Sequence, residues 1–314
     1  MKKIKTKIVI SIAFSCAILA LLVGGISMTQ SKKIIEQEAR DKLKLMAESN
    51  TNHFNEILAE VEMGVEGLAT AVKATFHREE VINNPEYMSE YLTLIDPLVK
   101  EFAENTKEAV GAYVTFNPTL VRGAYESWFV DLEGKGDFHK GESLVMEDFD
   151  PDNDYMAYYY DTALAASPVW RDPELDEESG KYLLTYNIPL YENGALIAVV
   201  GIDIDFNEFY NTVLGIEVYD TGYMALMNKE FDFLLHPHFT EAAATEGEAD
   251  GESSATTEAR VNMTTMENGS LKFVTEIITE GEKDIISYEY LGEKKLLSFD
   301  RLDNGQILIV TVPE

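Results

Sequence analysis

The sequence has a single cysteine, Cys16, in an apolar segment near the start. An intrachain disulfide is therefore excluded. An extracytoplasmic location is not, because oxidising compartments permit disulfides without requiring them. Positive charge is also scarce: 25 Lys and Arg stand against 56 Asp and Glu, a formal charge of −31. Nucleic-acid binding needs a basic surface to neutralise phosphates, so it is not expected. The excess acid reads first as a solvated exterior that repels its own kind and draws in cations. No G-x-S-x-G, no HExxH and no phosphate-binding glycine loop occurs, so no enzyme class has a supporting motif. A paired-carboxylate hydrolase leaves no local signature and stays open as an alternative.

The apolar segment Ile8 to Met28 has 21 residues and no charge. As a helix it would be about 32 Å long, enough to cross a bilayer. Lys2, Lys3, Lys5 and Lys7 precede it. The positive-inside bias then puts residues 1–7 in the cytoplasm and everything after 28 outside. A cleaved signal peptide fits less well, because the run is long and no clean small-x-small site follows. "AFSC" is a poor lipidation box. A single-pass anchor at 8–28 is expected.

From Ser31 to Phe76 there is no proline. Apolar residues fall at Ile35, Ala39, Leu43, Met46, Phe54, Ile57, Val61, Val65, Leu68 and Val72, in steps mostly of three and four. That is a long amphipathic helix over 29–76, a stalk continuing the anchor. Its stripe packs on its own domain or on a partner helix, and a homodimer through the stalk is one expectation.

Strand patterns follow. "EAVGAYVTFNP" and "GAYESWFVDLEGKGD" each run into a turn, and "YMAYYYDTALAA" suits a short helix. "KYLLTYNIPLY", "ENG" and "ALIAVVGIDIDF" form a hairpin, since Asn-Gly between apolar runs is a strong short-range turn signal. "NEFYNTVLGI" closes this unit as a helix near Ile216. "TGYMALMNKEFDFLLHPHF" reads as strand, turn, strand. "DIISYEYLGEKKLLSFDRLDNGQILIVTV" gives three strands, with turns at "LGE" and "DNG". Between them, "EAAATEGEADGESSATTEA" is acidic and low in complexity, as expected of a mobile loop. The fold class is α+β: two successive units, 77–216 and a smaller 217–314, each with an antiparallel sheet.

This order of elements resembles a known family. Anchor, long helix, "W..P…G….Y.IPLY.NGALIAVVGIDIDF" and then "GYMALMN…LLHP" are similar to the double Cache extracytoplasmic sensor domain. The most specific parts are "PLYENGALIAVVGIDID" and "GYMALMNKEFDFLLHP", and the resemblance covers nearly everything after the anchor. It implies two tandem PAS-like modules, the membrane-distal one usually holding a small ligand. It also implies the input half of a chemoreceptor, sensor histidine kinase or cyclic-dinucleotide enzyme, with no catalysis and no cofactor of its own. A second membrane helix normally follows such a domain, so the chain is expected to be part of a longer receptor.

The strand "ALIAVVGIDID" places a carboxylate among apolar residues. Side chains alternate along a strand, so Ala195, Ile197, Val199, Gly201, Asp203 and Asp205 share one face. Gly201 is expected to leave space beside Asp203, and a buried carboxylate needs a partner. The resemblance implies that an Asp in this segment holds a ligand ammonium in amino-acid-binding members, while an Arg-x-Trp-Tyr segment holds the carboxylate. The matching segment here is "AYYY": Tyr159 and Tyr160 stand for Trp-Tyr, and Ala157 stands where the Arg would be. No alanine replaces a bidentate guanidinium. The expected site is therefore Asp203 with aromatic residues drawn from Tyr158, Tyr159, Tyr160, Trp170, Trp128 and Tyr186. Aromatic faces beside an acid suit an organic cation, so an amine is favoured over an amino acid.

Each of these residues also has an ordinary structural use. Asp203 could pair with Arg171. Trp128 and Trp170 could be packing, the three consecutive tyrosines cannot all face one pocket, and Asp172 in "WRDP" suits a turn. "DFDPDND" lacks the glycine and glutamate of a calcium loop, and His236 and His238 lack metal-ligand spacing. No metal is expected. A sensor predicts saturable binding without product, a hydrolase predicts turnover, and a ligand-free scaffold or dimerisation module predicts neither.

Overall fold

The computed structural model describes residues 2–176, 179–216, 218–219, 221–238, 260–281 and 285–314. The acidic stretch 241–259, expected to be a mobile loop, lies outside them.

Helix α1 is one continuous helix, Lys2–Thr75, that carries both the apolar run and the stalk. Among the described residues it is the one helix long and apolar enough to cross a membrane. Ile18, Leu19, Leu22, Val23, Ile26 and Met28 are all exposed. The stripe becomes buried only from Leu43, through Ala47, Phe54, Leu58, Val61, Val65, Leu68 and Val72, at spacings that keep one helical face inward. Ile35 is exposed, so the expected stripe is covered along its later part alone.

After α1, the chain forms α2 (Arg78–Asn83) and α3 (Tyr87–Asn105). Tyr87, Met88, Tyr91, Ile95, Val99 and Ala103 of α3 are buried at helical spacing. A Cβ at Gly64 would stand 2.8 Å from the Phe102 ring, so that glycine permits close approach of α1 and α3.

The first sheet comprises β1 (Ala109–Phe116), β2 (Glu126–Val130), β3 (His139–Lys140), β4 (Val169–Trp170), β5 (Glu174–Asp176), β6 (Lys181–Glu192) and β7 (Ala195–Asp205). Its order is β3-β2-β1-β7-β6-β4, with β5 also on β6. All its pairings are antiparallel. The β6–β7 hairpin turns through Asn193 at φ 49° and Gly194 at φ 80°. Two positive φ values define the two-residue turn that asparagine and glycine favour. One face, with Ala112, Val114, Phe116, Leu184, Tyr186, Val200, Ile202 and Ile204, joins α1 and α3 in the main core. The other face is covered by α5 (Ala157–Ala165), whose Tyr159 packs on Val199 of β7, while α4 (Pro118–Val121) gives Val121 to the main core.

Helix α6 (Asn207–Gly215) links the units, and Phe209 stacks on Phe54 of α1 with ring centres 4.4 Å apart. The second sheet has the order β10-β11-β12-β8-β9, built from β8 (Tyr223–Met227), β9 (Phe233–Leu235), β10 (Ile286–Tyr290), β11 (Glu293–Arg301) and β12 (Ile307–Pro313). Met224, Leu226, Leu296, Leu308, Val310 and Val312 share the main core with α1. On the opposite face Ala225, Met227, Leu297, Phe299, Ile307 and Ile309 pack beneath α7 (Lys272–Glu280) through Leu271, Val274 and Ile278. Each sheet thus gives one face to the stalk and keeps the other for a separate, smaller cluster.

Asp172 does more than shape a turn. Its Oδ2 accepts from Asn228 Nδ2 at 2.8 Å and from Arg260 at 3.2 Å, tying the first sheet's β4–β5 connection to the second unit.

Candidate ligand site

Register builds the site. Across the first sheet, Asp203 stands opposite Gly111 and Thr185, Gly201 opposite Tyr113 and Asn187, and Val199 opposite Thr115 and Pro189. On β2, Trp128 pairs with Tyr113 and Glu126 with Thr115. Directly opposed residues in an antiparallel pair project to the same side. Asp203, Trp128, Tyr113, Thr115, Glu126, Thr185 and Asn187 therefore share the face turned away from the stalk.

The expected gap beside Gly201 is filled. A Cβ there would lie 2.1 Å from Asn187 Oδ1 and 2.5 Å from the Tyr113 ring. The glycine makes room for two neighbours on other strands, not for a ligand. Tyr113 Oη donates to Asn187 Oδ1 at 2.8 Å, closing that row. Trp128 is seated by two further glycines. A Cβ at Gly141 would stand 2.0 Å from its ring, and one at Gly111 would stand 3.2 Å from its Nε1 and 3.5 Å from Asp203 Oδ2.

Two partly buried acids occupy this face. Thr185 Oγ1 donates to Asp203 Oδ1 at 2.6 Å. Glu126 Oε1 accepts from Thr115 Oγ1 at 2.5 Å and from Tyr158 Oη at 3.2 Å. Burial pushes Asp203 up to about 6, against the lowering effect of the Thr185 bond and of the more distant Arg171 charge. Burial pushes Glu126 up to about 7, opposed by its hydroxyl donors and reinforced by Asp203 and Asp148. Among the described residues neither acid has an ion-pair partner. The expected rival pairing of Asp203 with Arg171 does not form: Arg171 is held by Asp161 at 2.6 Å and Glu174 at 3.3 Å. Its backbone N–H donates to Thr185 O at 2.9 Å, which places Arg171 beside the site.

Asn187 supplies a further polar group. It is fully buried, and among the described residues its Nδ2 has no hydrogen-bond partner. An unsatisfied buried amide N–H costs ~1–3 kcal/mol.

Of the residues expected around the ligand, Asp203, Trp128 and Tyr158 are brought together. Successive residues on α5 point about 100° apart, so only Tyr158 reaches Thr115 and Glu126. Tyr159 is buried against Leu144, Met156 and Val199, with Tyr160 at the edge of that cluster. Trp170 and Tyr186 are not in the site. They pair with each other in register and face the stalk, where Trp170 Nε1 donates to Glu62 Oε1 at 2.7 Å. Glu126, Tyr113, Thr115, Thr185 and Asn187 were not anticipated, and Arg171 was considered only as an ion-pair partner of Asp203. The signal for Glu126 was present in "YESWFV", where it precedes Trp128 by two and so shares its face. No group of three or more His, Cys, Asp or Glu among the described residues is placed to hold a metal. His236 Nδ1 accepts from the His238 backbone N–H at 3.1 Å, a structural use of the pair.

The sequence matches the Cache domain family over residues 31–314. The chain belongs to that family, in its double-module form. The structure is similar to the extracellular domain of a protein described as a histidine kinase, mmHK1S-Z3, at TM-score 0.61 and 14% identity over 87% of this chain and 94% of that one. It is also similar to the sensory domain of the Campylobacter jejuni chemoreceptor Tlp3, at TM-score 0.57 and 13% identity over 90% and 96%. That domain in complex with L-valine gives TM-score 0.56 and 13% identity over 90% and 95%. Comparison with curated proteins gives no match.

Proposed function

We propose that this chain is the extracytoplasmic sensing region of a transmembrane receptor, most simply a chemoreceptor, and that its first module binds a small organic cation at Asp203. The observation that carries the ligand class is the pair of partly buried carboxylates, Asp203 and Glu126, with no ion-pair partner among the described residues. The nearest guanidinium, Arg171, is already neutralised by Asp161 and Glu174. A cationic amine would supply the missing charge, with the Trp128 and Tyr158 rings beside it. The role is binding without turnover.

The four lysines before the apolar run favour a cytoplasmic N-terminus, and the exposed segment Ile18–Met28 suits lipid. Residues 77–216 form the distal module and 217–314 the proximal one. Exposed Ile34, Ile35, Leu45 and Met63 on α1 suit pairing of two stalks. Ligand binding would shift the equilibrium between two packings of the first sheet on α1, by as much as its affinity differs between them.

A second reading is an amino acid. It is favoured by Arg171 beside the site and by the spare Asn187 N–H, both able to receive a ligand carboxylate. The L-valine complex of Tlp3 shows that ligand class on the same fold, in that protein.

The test is a thermal-shift series on the full chain in detergent micelles with primary, methylated and quaternary amines, amino acids and carboxylates. The cation reading expects an amine to raise the melting temperature and Asp203→Asn to abolish the rise. Failure of every amine, or a rise that survives Asp203→Asn, overturns it. A response confined to amino acids and lost in Arg171→Met selects the second reading.

A further inference from the structure

The second sheet contains a cavity of about 260 Å³ lined by Tyr223, His238, Tyr290, Leu291, Glu293 and Lys295. It lies on the sheet face turned away from the stalk. Lys295 projects from β11 on the same side as Leu297 and Phe299, two and four residues on, which pack under α7. A lysine at this depth is unusual, because its side chain is only 11% exposed. Its nearest acid, Glu293, is 3.9 Å away and well exposed, a long and solvated pairing. The ammonium otherwise sees aromatic faces, Tyr223 at 5.5 Å and Tyr290 at 6.0 Å.

The neighbouring His236 imidazole adds little competing charge. His236 is buried against Tyr223 and Phe233, with ring centres 4.8 Å away in each case. Burial, reinforced by the nearby His238 and Lys295, holds it well below the usual histidine range, so it is neutral near pH 7. His238 stacks edge-on to Tyr223 at 5.4 Å, and its ring lines the cavity as a further hydrogen-bonding group.

We infer that the second module carries a ligand site of its own, in which Lys295 binds a small carboxylate. The fixed cation receives the carboxylate charge. The Tyr223 and Tyr290 rings and Leu291 flank a short apolar stem, which suits a small acid of a few carbons. The overall charge of −31 repels anions at long range, so selection would come from this one buried cation. The site is chemically opposite to the acidic one in the first module. A single receptor chain would then read two ligand classes, one per sheet, through one stalk.

The test is titration of the full chain in lipid nanodiscs with sodium propionate, pyruvate and succinate, against sodium chloride at equal ionic strength. Calorimetry reads binding, and NMR follows the His238 ring, assigned by His238→Asn. Saturable binding of one of these acids, with a shift of the His238 ring and at least tenfold weakening in Lys295→Met, is expected. Lys295→Arg, which keeps the charge, should retain most of the affinity. Absence of saturable binding by all three acids overturns the inference. So does binding that Lys295→Met leaves intact, or binding lost in Arg171→Met instead, which would place the acid in the first module. Should Lys295→Met fail to fold, the His238 ring decides: saturable movement supports the site, and no movement overturns it.

Discussion

Tyr113 and Asn187 meet directly over Gly201, hydroxyl to amide oxygen at 2.8 Å, and only the missing side chain on β7 allows it. Three strands are thereby locked in one row. Gly201→Ala would place a methyl 2.1 Å from the amide oxygen and 2.5 Å from the tyrosine ring, and neither is the loose end of a flexible side chain. Overpacking of this kind costs ~1–3 kcal/mol. Urea denaturation should show a lower midpoint with an unchanged slope. A neutral result would mean that the row has slack.

That row also marks where sequence reasoning stops. The face of Asp203 followed from the period of two, and the hairpin followed from Asn193–Gly194. The occupants of the space at Gly201 could not be read, because Tyr113 lies 74 residues from Asn187 and meets it only through β1–β7–β6 register. Trp170 and Tyr186, expected beside Asp203, face the other side of the sheet from it. β4 has only two residues, too few to show alternation, so the face of Trp170 is set by its pairing with Tyr186 of β6. Helix α3 was not anticipated, although its apolar residues keep helical spacing from Tyr87 to Ala103.

The two site acids make unliganded stability fall as pH rises. Asp203 moves from 3.8 in the unfolded chain up to about 6, and Glu126 from 4.5 up to about 7. A carboxyl raised by folding binds its proton more tightly in the native state. Its contribution is complete below the unfolded value and is lost as pH climbs through the folded one. Between pH 4 and pH 7.5 the pair should cost a few kcal/mol, on the order of two pH units' worth for each group. Denaturation of the wild type at pH 5 and 7.5, with Glu126→Gln and Asp203→Asn, measures this. The double variant should flatten the dependence, and a wild type most stable at pH 7.5 would contradict it.

Cation binding should run the other way with pH. An amine needs Asp203 charged, so affinity should drop roughly tenfold between pH 7.5 and pH 5, as expected for one proton on a group near 6. Calorimetry at several pH values reads the slope. Affinity independent of pH over that range would mean that the ligand does not rest on this carboxylate.

Trp170 separates ligand binding from coupling to the stalk. Its indole N–H reaches Glu62 on α1, while its ring lies 4.7 Å from Tyr186 on the same face. Trp170→Phe keeps most of the packing and removes the bond to a charged acceptor, a loss of ~1.5–3 kcal/mol at most and less where Glu62 is solvated. Because the ring is on the far side of the sheet from Asp203, amine affinity should stay within about twofold. Affinity lost in step with Trp128→Phe would show the two faces acting as one site.

Asp172 tests how the two modules hold together. It joins them through Asn228 and Arg260, but its side chain is 36% exposed and that of Arg260 31%. Solvent screening keeps such contacts weak, so Asp172→Ala should cost only about 1 kcal/mol. The larger bond between the modules is the shared core. Val61 and Val65 of α1, Ile202 of the first sheet and Val310 of the second all belong to one buried cluster. Removing a surface tie cannot divide a core that runs through both sheets. Calorimetric unfolding of Asp172→Ala should therefore stay a single transition, shifted slightly down. A split into two transitions would show that the Asp172 contacts, not the stalk, make the modules unfold together.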